Sequence, residues 1–167
     1  DKDKSISTII YLAQRLKIEK INFHIYIVGS GPELKNIKRL AVNLNLENEI
    51  TFTGYVKDKN KYLLDFDLYV FPSLLEGLPY SILEAMKYGI PIITTPAGGI
   101  TEAIINQENG IIVEMKSVES LFNATKLLIE NEKLAERLGR NAQKTFRKKF
   151  TNEVMHYNFR DLIKKLQ

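Results

Sequence analysis

The chain has 167 residues, 44% of them hydrophobic, and a net charge of +4 from 24 basic and 20 acidic side chains. That length suits one domain with a sizeable core, and that hydrophobic share excludes a disordered chain. The lack of cysteine excludes disulfides and thiolate metal sites and agrees with a cytoplasmic location; no run approaches the roughly 18 apolar residues of a spanning helix, and the opening DKDKS has no signal-peptide core.

Ser5 to Leu16 carries Ile6, Ile9, Ile10, Ala13 and Leu16 on one face, which predicts an amphipathic helix capped by Ser5 or a neighbour. Phe23 to Val28 is rich in β-branched and aromatic residues and reads as a strand. Gly29-Ser30-Gly31-Pro32 turns into a helix over Glu33 to Leu44, Ile50 to Thr53 is a brief strand, and Asn60 to Leu64 makes one or two helical turns. Asp67 to Phe71, ended by Pro72, suits a strand buried on both faces. Ser73 to Pro79 is a loop of polar and breaker residues.

From Tyr80 to Tyr88, Ile82, Ala85, Met86 and Gly89 fall at helical spacing, with Pro79 near the first position and Gly89 at the end. Ile90 to Thr95 is the next strand, followed by a flexible Ala97-Gly98-Gly99 loop and a helix over Thr101 to Ile105. Asn109-Gly110 turns the chain into a last strand, Ile111 to Val113. Ser117 to Glu130, Glu132 to Lys149 and Asn152 to Leu166 read as three helices jointed at Asn131 and at Phe150-Thr151. Strands alternating with helices at this spacing imply an α/β fold, a Rossmann-like parallel sheet covered by helices on both sides, with a C-terminal helical tail. No repeat or linker divides it.

Ligands in such sheets bind at the carboxyl ends of the strands, beside helix N-termini. The Gly29-Ser30-Gly31 turn has that setting, yet Leu34 stands where the dinucleotide fingerprint needs a third glycine, and no P-loop Lys-Ser/Thr follows. A plain strand-to-helix turn explains it equally well. His24 and His156 lie in separate elements and read as structural residues, so no metal site is expected. Glu76 and Glu84 bracket the turn into the Tyr80 helix. On a helical wheel Glu84 lies away from the apolar stripe, as a solvated residue would, whereas Glu76 sits among apolar neighbours on a tight backbone. Backbone N–H groups at that helix start can receive phosphate, and carboxylates can accept hydrogen bonds from sugar hydroxyls. Together they fit a ligand that is part sugar and part phosphate.

The blocks G-x-G-P (Gly29 to Pro32), F-x-G-Y-V (Phe52 to Val56), D-x-x-V-F-P-S and the run Glu76 to Glu102, with seven residues between Glu76 and Glu84, resemble the signature of the retaining nucleotide-sugar glycosyltransferases of family 4. Those enzymes have the two-lobed GT-B architecture, and the resemblance implies that this chain is the C-terminal, donor-binding lobe. It further implies that Glu76 faces the donor sugar and stabilises positive character at the anomeric carbon, and that Glu84 holds the ribose hydroxyls. Backbone around Leu78, Tyr80 and Ser81 would contact the sugar and diphosphate, and the Val56 backbone would read the base. Lys4 matches a family lysine that neutralises the leaving diphosphate; the family's arginine would fall before residue 1. Two positions depart from the pattern: Pro79, which has no N–H to donate, and Ser5, where glycine is usual.

The expectation is therefore a single lobe over residues 1–167, a fragment without the N-terminal acceptor lobe and without its own first strand, inactive alone. The intact enzyme would transfer sugar from a UDP- or GDP-linked donor to a hydroxyl acceptor, with no cofactor and no metal. A GT-B-like UDP-sugar 2-epimerase, an NAD-binding module and a non-catalytic nucleotide-binding or protein-interaction module are the alternatives; the crevice region has no histidine, which disfavours the first. The basic tail (Arg137, Arg140, Lys144, Arg147, Lys148 and Lys149, interleaved early with Glu132 and Glu136) reads as a solvated face or as a contact with the inner face of an anionic membrane. No motif for nucleic acid is present.

Overall fold

A computed structural model describes residues 4–166. The elements alternate as the periodicity predicts. Helix α1 (Ile6–Ile18) leads into β1 (Ile25–Val28), α2 (Leu34–Asn43), β2 (Ile50–Gly54), α3 (Asn60–Leu63) and β3 (Tyr69–Phe71). Then come α4 (Tyr80–Tyr88), β4 (Ile92–Thr94), α5 (Ile100–Ala103) and β5 (Ile111–Ile112), and last the helices α6 (Val118–Glu130), α7 (Glu132–Lys149) and α8 (Asn152–Leu166).

Side-chain oxygens cap the tail helices: Ser120 N–H donates to Ser117 Oγ at 3.1 Å, Leu134 N–H to Asn131 Oδ1 at 3.0 Å, and Val154 N–H to Thr151 Oγ1 at 3.3 Å. The cap expected at Ser5 differs. Ser5 occupies the N-cap of α1 in the left-handed region (φ 50°), and its hydroxyl lies 2.8 Å from Thr8 Oγ1 with no amide bound. Glycine adopts that conformation at no steric cost, and serine adopts it with strain.

All strand pairs are parallel, but the described strands form two sheets, β1-β2 and β3-β4-β5, where the alternation of elements predicts one. The strand expected from Asp67 starts at Tyr69. Its ladder opens where Tyr69 N–H donates to Pro91 O at 2.9 Å, and Pro91 has no N–H with which to extend it. Nor is β3 buried on both faces: Tyr69 and Val70 are half-buried, because β3 borders an apolar groove of about 550 Å³ separating it from β1.

Three apolar clusters hold the layers together. α1 joins two of them, sending Ile10 and Ala13 into a cluster with Ala41, Leu46 and Ile50, and Leu12 and Leu16 into one with Ile93, Leu121 and Leu138. The third packs Ile82, Ala85 and Met86, the predicted stripe of α4, against Ile92, Ile100 and Ala142. Each of the three is completely buried, which for Ile82 or Met86 contributes roughly 1.5–3 kcal/mol. α7 clamps α4 from outside, with Gln143 Nε2 donating to Lys87 O at 3.0 Å. The site loops thus emerge from a helix held on both sides.

Candidate functional site

Phe71 ends β3, and the chain leaves through Pro72 into the loop that carries Glu76. The loop is tied to its neighbour strand. Thr94 Oγ1 donates to Phe71 O at 2.8 Å, and the buried Thr95 hydroxyl donates to Ser73 O. The Ser73 hydroxyl, itself fully buried, donates to Glu76 Oε1 at 3.2 Å. The half-buried Glu76 carboxylate is therefore oriented by a side chain anchored to β4. The Ala97-Gly98-Gly99 segment, expected to be flexible, is a close-packed wall of this loop. Ala97 is fully buried, Gly98 has φ +51°, and a Cβ on Gly98 would lie 1.9 Å from Glu76 O.

Glu84 points from the second turn of α4 toward the loop after β2, where Lys59 Nζ lies 3.3 Å from its Oε2. Tyr88 hydroxyl donates to Asn60 Oδ1 at 2.9 Å and fastens the same loop one turn later. Tyr69 lies within the field of both acids. Its phenol is pushed up to about 12 by burial, against a hydrogen bond from the Ser81 side chain that lowers it, while the Glu84 and Glu76 carboxylates raise it further. One buried hydroxyl thus feels both acids and bonds to Ser81. Glu84 lines the groove together with Tyr69 and Ser81, and both carboxylates act on the Tyr69 phenol.

Ser81, in the first turn of α4, lines that groove. The N-cap of α4 is Pro79, whose carbonyl accepts from Ile82 N–H at 3.1 Å, and no acid lies in the first turn. The N–H groups of Tyr80 and Ser81 precede the first intrahelical bond, so the helix does not use them. Leu78 packs its side chain onto the core, and Tyr80 is 81% exposed. Lys4 is exposed with Nζ 5.8 Å from the centroid of Phe71, at the carboxyl end of β3, and it lines the same groove as Ser81 and Glu84. Val56 is half-buried in the loop that carries Lys59.

The Gly29 turn serves the fold: Gly29 N–H donates to Gly54 O at 3.0 Å and bridges the ends of β1 and β2. His24 Nε2 lies 2.8 Å from Thr51 Oγ1, in keeping with a structural residue. Among the described residues no three His, Asp or Glu side chains group as metal ligands. Tyr69, Ser73, Lys59 and Gly98 are the site residues that sequence reasoning missed. Ser73, three residues before Glu76 in the same loop, carried a readable signal. Lys59 did not, because only the fold brings it to Glu84.

Comparison with known proteins decides the family. The pattern of the family described as glycosyl transferases group 1 matches residues 1–145. The chain belongs to that family. This group 1 chain is 26% identical over 152 residues to the lipopolysaccharide core biosynthesis glycosyltransferase LpsE of Rhizobium meliloti, covering 91% of this chain and 44% of LpsE. The C-terminal domain of a glycosyl transferase group 1 family protein (LpcC) of Francisella tularensis superposes with a TM-score of 0.79 at 28% identity, covering 91% of this chain and 82% of that domain. HepE of Anabaena, solved in complex with UDP, superposes with a TM-score of 0.90 at 22% identity, covering 99% of this chain and 46% of HepE. The group 1 chain thus has the fold of a GT-B C-terminal lobe, and it spans less than half the length of LpsE or HepE. No helix among its described residues is long and apolar enough to cross a membrane.

Proposed function

We propose that this chain is the donor-binding half of a retaining glycosyltransferase of family 4, working on a UDP- or GDP-linked sugar. The observation that carries the reading is Tyr69, whose buried hydroxyl bonds to Ser81 and lies within the field of both Glu84 and Glu76. In the reaction, the Tyr80 and Ser81 amides and the Lys4 ammonium meet the diphosphate, and the Val56 backbone reads the base edge. Glu84 accepts from the ribose hydroxyls. Glu76, steadied by Ser73, accepts from the sugar hydroxyls and stabilises the positive charge that grows at the anomeric carbon as the bond to the diphosphate breaks. Positioning and charge stabilisation are the whole of this half's contribution, and the reading requires no metal or cofactor. The acceptor, a hydroxyl-bearing molecule, is held by a second lobe outside this chain, so the chain alone catalyses nothing. Turnover by the isolated chain contradicts that.

Thermal shift tests the reading. UDP, GDP and ADP, each with its 2′-deoxy counterpart, are titrated against the chain. At a hundredfold excess over Kd, the binding nucleotide stabilises by about 2.7 kcal/mol, or roughly 5–11 °C. The ribonucleotide shift exceeds the deoxy shift, and Glu84→Ala removes that difference while leaving the deoxy shift in place. No shift with any nucleotide, or a ribose preference that survives Glu84→Ala, overturns it.

A further inference from the structure

We propose that the cavity between the starts of α1 and α2 is a saccharide site, and that its ligand is a neutral glycan chain: the sugar units of the acceptor beyond the hydroxyl that is glycosylated. The acceptor role rests on the donor reading above; the binding of saccharide does not. The cavity has a volume of about 620 Å3, inside the roughly 300–1,000 Å3 of small-molecule sites. It shares only Ile6 with the groove that Lys4, Ser81 and Glu84 line, so it is a separate site across α1. Leu74 reaches it from the loop after β3, the same loop that carries Glu76. A chain seated there therefore lies beside the acid that faces the donor sugar.

The lining has the chemistry of a sugar site. Tyr11, Ile37 and Leu74 supply apolar surface, and Glu33, Asn36 and Lys116 supply polar groups. A pyranose shows the same division, with C–H groups on its faces and hydroxyls around its rim. Asn36 Nδ2 donates to Glu33 Oε2 at 3.3 Å, which sets an amide and a carboxylate side by side at the start of α2. Glu33 Oε1, Asn36 Oδ1 and the Lys116 ammonium have no partner among the described residues. Adjacent acceptors and a donor answer vicinal hydroxyls, each of which both donates and accepts. One acid and one lysine leave the lining without net charge, and an anionic ligand would meet the Glu33 carboxylate.

The backbone marks the same place. Among the described residues, five other than glycine have positive φ. Lys20 and Asn45 follow the last turns of α1 and α2, where the left-handed conformation is an ordinary helix ending, and Gln107 lies in the turn before β5. Ser5 (φ 50°) and Lys116 (φ 61°) stand instead ahead of α1 and α6, where helix capping does not call for it. Both line this cavity. Left-handed backbone at such residues costs energy and collects where a ligand is clamped.

Heteronuclear NMR titration of the 167-residue chain tests the proposal, with maltose, cellobiose and N,N′-diacetylchitobiose as probes. At least one disaccharide moves the amides of Ser7, Asn36 and Lys116 and leaves those of Tyr80 and Ser81 in place, with Kd of about 1–20 mM. Tyr11 is 42% exposed and Asn36 is exposed, so both can be truncated outside the core. Tyr11→Ala and Asn36→Ala each raise that Kd about two- to tenfold, and Tyr11→Phe, which keeps the ring, restores it. Excess UDP does not displace the sugar. Silence of all three disaccharides at these amides overturns the proposal, as does a Kd indifferent to either alanine, or Tyr11→Phe as weak as Tyr11→Ala. Displacement by UDP places the sugar in the donor crevice and overturns it too. So does inorganic phosphate moving the same amides while the sugars do not, which makes the cavity an anion site. Nucleotide thermal shifts read the donor crevice separately, so either reading can fail alone.

Discussion

Gly98→Ala separates the scaffold of Glu76 from the rest of the domain. An alanine Cβ at Gly98 would stand 1.9 Å from Glu76 O, and ordinary contact begins near 3.4 Å, so the two loops must part by about 1.5 Å. Holding a non-glycine residue at φ +51° costs about 1–2 kcal/mol. Parting the loops also strains the bond from Thr95 to Ser73 O, which adds about 1 kcal/mol. The sum, about 2–3 kcal/mol, lowers Tm by roughly 4–12 °C for a domain of this size. Ser73 moves with the loop, and Glu76 with it, so affinity for a nucleotide sugar falls toward that of the bare nucleoside diphosphate. Calorimetric titration with both ligands, beside differential scanning fluorimetry, reads the two effects. Gly77→Ala, in the same loop with open space around its Cβ, is the control and shifts Tm little. A Gly98→Ala protein that melts like the parent, or that keeps its full preference for the sugar-bearing ligand, refutes the argument.

Gly139→Ala inverts the usual sign for a helix interior, where alanine gains about 1 kcal/mol over glycine. Here its Cβ would lie 2.0 Å from Gly89 O, so α7 must lift from α4; urea midpoints should fall, and a rise would show that the two helices slide freely. Tyr69 makes alkaline stability a local probe. Its folded-state pKa of about 12 exceeds the ordinary 10.0, so the neutral phenol's contribution is complete below pH 10 and is lost as pH rises from 10 to 12. That loss is of order 2–3 kcal/mol and Tyr69→Phe should lack it, so the parent-minus-variant difference should fall by that amount across the window; parallel curves would place the phenol in water. On α7, Arg140 is engaged by Glu136 at 2.9 Å and Arg137 reaches Gln107 O, while Lys144, Arg147, Lys148 and Lys149 are exposed. Replacing those four by glutamine should abolish any sedimentation with vesicles rich in phosphatidylserine; binding that persists assigns membrane contact elsewhere.

Periodicity was enough for the helices. The stripe Ile82, Ala85, Met86 and the joint at Asn131 are local facts, and the structure shows them as read, adding that Ser117 and Asn131 cap the helices that follow them. Strand limits and sheet membership were not local. Tyr69 starts β3 because of a proline on another strand, and the division into two sheets depends on what lies between β1 and β3, which neither strand encodes. Gly98 illustrates the same limit. A glycine pair after a strand reads as slack, yet the pair is where two loops touch backbone to backbone, and only the partner loop reveals it.

The two acids show why a motif can be legible while its working is not. Glu76 and Glu84 stand out by spacing, but their restraints differ in kind. Glu76 is held by Ser73, a fully buried side chain tied through its own carbonyl to β4. Glu84 is held by Lys59 across 3.3 Å, with side chains 36% and 49% exposed, and such a pair contributes about 0–1 kcal/mol. A helical wheel assigns Glu84 to solvent because it knows nothing of the loop after β2. The fold converts that solvent face into a crevice wall, and the weak lysine contact keeps the carboxylate ordered without committing it. On the proposed reading, ribose hydroxyls displace Lys59 at little cost, whereas the sugar meets a Glu76 that does not move: the exchangeable acid admits the nucleotide, and the fixed one faces the bond that breaks.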